Sequence, residues 1–132
     1  MIVLDTHIWL WWVGNPEKLS EKATAAINNA IKKDGIAISS ISTWEIALLI
    51  EKGRLQLTLN VRDWVRKTES LPFVRFTPVD NMICLRSVSL PGTFHPDPAD
   101  RVIVATAILN GSSLVTKDEK IRSYPFVKTV WD

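Results

Sequence analysis

Apolar residues along this chain fall into two alternating rhythms. Short, mostly apolar runs, Ile2-Val3-Leu4, Ile36-Ala37-Ile38-Ser39, Phe73-Val74-Arg75-Phe76, Ser113-Leu114-Val115-Thr116 and Val127 to Val130, have the length and β-branched content of buried strands. The stretches between them repeat every three to four residues instead. Ile8 to Val13 reads as a short helix, and Leu19, Ala23, Ala26, Ile27, Ala30 and Ile31 form the apolar stripe of an amphipathic one, with Ser20 as N-cap and Gly35 closing the segment. Ser42 is predicted to open a helix through Ala47, Leu48 and Ile50 to Gly53, and Asn60 to cap one carrying Val61, Trp64 and Val65. Asp80 begins another through Met82, Leu85 and Val88. Asp97-Pro98 starts a strongly helical run that ends near Gly111, and a short helix follows Asp118. Gly14-Asn15-Pro16 and Pro91-Gly92-Thr93-Phe94-His95-Pro96 read as a break and a loop.

Strands separated by helices imply right-handed βαβ crossovers, hence a mainly parallel sheet with helices on both faces: the class is α/β. No repeat, low-complexity tract or linker divides the 132 residues, so one domain over 1–132 is expected. In such sheets ligands sit beyond the carboxyl ends of strands, near the switch in strand order. That filter selects Asp5 after the first strand, Glu45 early in the helix after the second, Asp97 and Asp100 at the start of a later helix, and Asp118 after the strand ending at Thr116.

Carboxylates gathered on one rim repel and hold protons unless cations neutralise them, and an all-oxygen donor set suits the hard ions Mg²⁺ and Mn²⁺. Each acid also has a structural reading. Ser42-Thr43-Trp44-Glu45 fits a capping box, Asp97-Pro98 fits an N-cap followed by proline, Asp100 suits the positive end of a helix dipole, and Asp118 can cap the helix it precedes. Asp5 alone, at the end of an apolar strand, has no easy structural reason to be acidic.

Composition acts here mainly by exclusion. A charged fraction of 23% and a formal net charge of +2 give no strong steering toward nucleic acid. The single cysteine, Cys84, lies in an apolar run, is expected to be a small buried hydrophobe and agrees with a reducing compartment. The N-terminus lacks the basic start of a signal peptide, and no apolar run approaches the ~20 residues of a membrane span, so a cytoplasmic location is expected. Trp9, Trp11 and Trp12, with Trp44 near the acidic rim, could stack on nucleobases, but core or interface is the place expected for the helix-spaced set. Arg62, Arg66 and Lys67, and likewise Lys117, Lys120 and Arg122, could face phosphate, but a solvated helix face is the reading preferred for both groups. His7, two residues past Asp5, could approach the site but reads first as a packing or hydrogen-bonding residue, and His95 as either exposed or near substrate phosphate; neither is assigned as a base.

Four motifs in order, Leu4-Asp5-Thr6-His7-Ile8-Trp9-Leu10-Trp11-Trp12, Ser42-Thr43-Trp44-Glu45-Ile46, His95-Pro96-Asp97-Pro98-Ala99-Asp100-Arg101 and Leu114-Val115-Thr116-Lys117-Asp118, resemble the PIN-domain, VapC-type toxins of prokaryotic type II toxin–antitoxin systems. The resemblance runs over essentially the whole chain. It implies a three-layer sandwich with a central, mainly parallel sheet and a single-strand RNA endonuclease whose Mg²⁺ or Mn²⁺ is bound by Asp5, Glu45, Asp100 and Asp118. Thr6, Asp97 and Thr116 would then touch those carboxylates rather than the cation. It further implies an RNA substrate, a cognate VapB-like antitoxin and a homodimer. A PIN-type RNA-processing nuclease that is not a toxin, a receiver-like Mg²⁺-binding signalling module and a non-catalytic interaction protein are the rival readings.

Overall fold

The computed structural model describes residues 1–132. Five strands, β1 (Ile2–Leu4), β2 (Ile36–Ser39), β3 (Val74–Thr77), β4 (Ser113–Val115) and β5 (Thr129–Val130), form one sheet in the order β3-β2-β1-β4-β5. All four pairings are parallel, with Val3 opposite both Ala37 and Leu114. The chain winds from β1 outward to β3, then returns to the other edge of β1 for β4. The switch in strand order therefore falls between β1 and β4, and a crevice opens beyond their carboxyl ends.

Side-chain alternation along the strands divides the core in two. Val3, Ala37 and Leu114 point to one face, where they pack with Ile103, Val104 and Ala107 of α6 (Pro98–Asn110) and Ile83 of α5 (Asn81–Val88). Leu4, Ile36, Ile38 and Val115 point to the other and meet Ile8 and Trp9 of α1 (Thr6–Gly14), Ile27 of α2 (Glu21–Lys32), Ile46 of α3 (Ser40–Glu51) and Trp64 of α4 (Val61–Glu69). The result is three layers, helix, sheet and helix. Trp9 is fully buried; its indole N–H donates to Thr68 Oγ1 at 3.0 Å, and its ring centroid lies 4.6 Å from that of Trp64, tilted by 38°, and 5.3 Å from that of Phe76, edge-on. A polar handle satisfied in this way lets the largest side chain sit at the centre of a core.

Helix ends follow local chemistry. Ser20, Asn60, Asp80 and Asp97 each accept a backbone N–H of the first turn that follows, as their side chains predict. Gly35 adopts φ +90 with the Phe73 carbonyl where a Cβ would stand, so only glycine lets β2 begin there beside β3. Three expectations are corrected. The third helix begins at Ser40 with Ser39 as its cap, so Ser42 is an interior, fully buried residue and not an N-cap. A short 3-10 turn, Pro16–Lys18, occupies part of the predicted break. Cys84 is exposed, not buried, because α5 packs through Ile83 and Ser87 and leaves its neighbours outside.

Candidate active site

Asp5 is fixed at the switch point by its backbone and its side chain together. Its amide donates to the Val115 carbonyl at 3.0 Å, which holds the end of β1 against β4. One carboxylate oxygen accepts the Thr6 N–H at 2.8 Å and the other the Thr116 hydroxyl at 2.7 Å. Thr116 Oγ1 in turn accepts the Asp118 N–H at 3.0 Å, so one hydroxyl ties the acid after β1 to the acid after β4. The helix capping that seemed to be missing for Asp5 is present, since it is the N-cap of α1.

Glu45 arrives from α3. The Thr6 hydroxyl donates to its Oε1 at 2.5 Å and is also hydrogen-bonded to Ser42 Oγ at 2.8 Å. With Ser42 inside the helix, Glu45 has no capping box to serve, and its structural explanation falls away. Asp97 caps α6 by accepting the Asp100 N–H at 3.0 Å, and Asp118 caps α7 (Glu119–Arg122) by accepting the Lys120 and Ile121 N–H groups at 2.8 and 3.2 Å. Capping uses one oxygen of each carboxylate and leaves the other available to the crevice.

All five acids line a single cavity of about 440 Å³, together with Thr6, His7, Trp11 and Lys117. Their mutual field is visible in their protonation. Burial, and then the charges of Asp5, Asp97, Asp118 and Glu45, push Asp100 up to about 8. Burial likewise raises Glu45, against the Thr6 hydrogen bond that lowers it, and raises Asp5 against the stabilising Thr116 and Thr6 donors. No three of the carboxylates converge tightly enough to form a ready-made chelate. They line a cavity rather than a point, which suits an ion that keeps several waters and takes only a few protein oxygens.

Several residues outside the predicted set take part in the site. His7, read first as a packing or hydrogen-bonding residue, instead takes the alternative place: it is exposed at the cavity edge with its ring 6.1 Å from that of Trp11. Lys117 is exposed, as expected, and is also one of its walls. His95 is neither exposed nor in the cavity lining; it stacks on Phe94 at 4.4 Å and places Nε2 3.2 Å from Asp100 Oδ2, without the alignment of a hydrogen bond. Arg101 fastens the loop that precedes the acidic helix: Nε donates to the Ser87 carbonyl at 2.7 Å and Nη1 to those of Phe94 and His95 at 2.9 and 3.2 Å. Its only sequence signal is its place next to Asp100. Arg62 and Arg66 lie on the solvated face of α4, away from the acids, as their spacing suggests.

Residues 2–127 match the model of the PIN domain family. This chain is a PIN domain. It is 41% identical over 133 aligned positions to Ribonuclease VapC22 of Mycobacterium tuberculosis, with 98% of each chain covered. The PIN fold is shared with VapBC2 from Rickettsia felis bound to a DNA fragment from its promoter (TM-score 0.71, 20% identity, all of both chains). It is shared equally with FitAcB from Neisseria gonorrhoeae (TM-score 0.68, 21% identity, 98% of this chain and 96% of that one). Membership of the PIN family sets aside the receiver-like reading. No helix of this PIN domain is long and apolar enough to cross a membrane.

Proposed function

We propose that this PIN domain is a metal-dependent endoribonuclease and the toxin of a type II toxin–antitoxin pair. The observation that carries the proposal is the gathering of five carboxylates from four separate stretches of chain at the β1/β4 switch point, in a chain 41% identical to a ribonuclease. In this reading Asp5, Glu45, Asp100 and Asp118 hold Mg²⁺ or Mn²⁺, while Asp97 serves mainly as the α6 cap. The donor set fits: every group is a hard oxygen, and the raised affinities of Asp5, Glu45 and Asp100 for protons mark a site short of positive charge.

When bound, a divalent cation supplies charge to the attacked phosphate and acidifies water for hydrolysis. The protein's own groups prepare the site. Thr116 and the Thr6 N–H orient Asp5 and favour its ionised form, and the Thr6 hydroxyl fixes Glu45. Burial and its acidic neighbours push Asp100 up to about 8, which favours its protonated form at neutral pH; a bound cation would favour the ionised form instead. No protein nucleophile is needed.

Cleavage of single-stranded RNA in Mg²⁺ or Mn²⁺, its loss on chelation and its loss in Asp5→Asn test the reading; undiminished cleavage by that variant would sink the assignment. Growth arrest on expression, relieved by a small co-expressed partner with a DNA-binding end, separates a toxin from an RNA-processing nuclease. VapBC complexes among the structural neighbours support a VapB-like antitoxin as that partner. A homodimer in the cytoplasm completes the proposal, supported by the exposed apolar stripe of Met82, Leu85 and Val88 on α5.

A further inference from the structure

Lys117 carries the one ammonium group among the walls of the cavity that Asp5, Glu45, Asp97, Asp100 and Asp118 also line. Coulomb attraction favours its collapse onto one of them, yet it forms no ion pair with any carboxylate. Its Nζ lies instead 5.7 Å from the centroid of the Trp11 ring and 5.9 Å from that of Trp131, two indoles 6.0 Å apart and tilted by 51°. Both distances are within the range of cation–π attraction. The cradle is assembled from distant parts of the chain. Trp11 comes from α1 and Lys117 follows β4; Trp131 follows β5 and is anchored where its carbonyl accepts the Ser20 hydroxyl. Lys18 adds a second ammonium 5.9 Å from the Trp11 ring.

A polyanion that enters an acidic cavity needs positive charge that the carboxylates have not already neutralised. We propose that Lys117 grips a backbone phosphate of the RNA strand beside the cleaved bond, and that Trp11 and Trp131 are positioning residues that keep its ammonium off the carboxylates. This inference rests on the ribonuclease reading and adds to it a substrate contact outside the acidic set. Arg would serve in the same place, since a guanidinium also stacks on indole faces and binds phosphate.

The test is steady-state cleavage of a single-stranded RNA oligonucleotide in Mg²⁺ over a series of KCl concentrations. Lys117→Gln is expected to lower kcat/KM roughly tenfold, chiefly through KM, as for loss of one charge-assisted contact. Its log–log dependence on salt should become shallower by about 0.7, the share of one phosphate contact on a single strand. Lys117→Arg is expected to restore most of both. Lys22→Gln, which removes the same charge from the exposed face of α2, should keep the wild-type slope, and the melting temperature of Lys117→Gln should stay near wild type because the side chain is exposed. A Gln variant with wild-type KM and salt slope, or an Arg variant as impaired as Gln, overturns the phosphate grip while leaving the nuclease reading intact. Failure of the wild-type protein to cleave RNA overturns both.

Discussion

A proton on Asp100 connects the chemistry of the cavity to the stability of the fold. In the unfolded chain this carboxyl ionises near 3.8, whereas in the folded protein burial and four neighbouring acids raise it to about 8. Between those values the folded state binds more protons, so stability contributed at this site is lost as pH rises through that window and is constant above it. Thermal unfolding in chelator should therefore show a melting temperature that falls from about pH 4 toward pH 8. Asp100→Asn should flatten that slope and raise the melting temperature by a few degrees at pH 7.5; an unchanged slope would contradict the assigned cause. Thr116→Val makes a second test. Removing the hydroxyl leaves Asp5 buried with one donor fewer, so its affinity for protons rises further and the acidic limb of the pH–rate profile moves to higher pH. If Asp5 is the metal ligand proposed, activity at neutral pH should fall about 10–100-fold, the usual range for a residue that orients such a ligand.

At the level of elements, the features legible in sequence were the local ones. Asn60, Asp80 and Asp97-Pro98 mark helix starts because a cap needs only its own side chain and the next turn of backbone. Ser42 misled because Ser39, at the end of β2, captures the same role three residues earlier, and the choice between them depends on where the sheet releases the chain. Glu45 is thereby freed for Thr6, a contact across 39 residues that no local pattern contains. Topology and resemblance brought out the acids, but they left Lys117 and His7 with more than one reading and passed over Arg101, since the placement of these three depends on which way side chains point at the junctions of elements. Arg101 shows the energetic side. Its guanidinium binds the carbonyl end of α5 and the loop before α6, where the negative end of a helix dipole favours a cation. Arg101→Met should cost about 2 kcal/mol in denaturant unfolding, because it leaves partly buried carbonyls without donors. On the proposed reading it should also weaken Mn²⁺ binding, measured by calorimetry, by loosening the segment that carries Asp97 and Asp100.

For the molecule as a whole, the five-stranded order and the two-sided core follow from strand parity and right-handed crossovers, so the α/β class could be read in advance. The outer face of α5 could not. Met82, Leu85 and Val88, exposed by 66, 72 and 81%, occupy positions that a helical pattern assigns to a core, and pairing of two copies through this face would restore that assignment. Sedimentation should find a dimer that Leu85→Asp converts to a folded monomer; a dimer unaffected by that change would place the interface elsewhere.

β1, the first strand of the chain, lies in the middle of the sheet, and its second edge stays open until Ser113–Val115 is made. Asp5 gains its Thr116 donor only then, and Asp118 comes two residues later. Loop closure over such a separation comes late in folding. A chain still folding therefore lacks the assembled carboxylate cluster until β4 docks on β1, so on the proposed reading nuclease activity arrives only with the completed sheet.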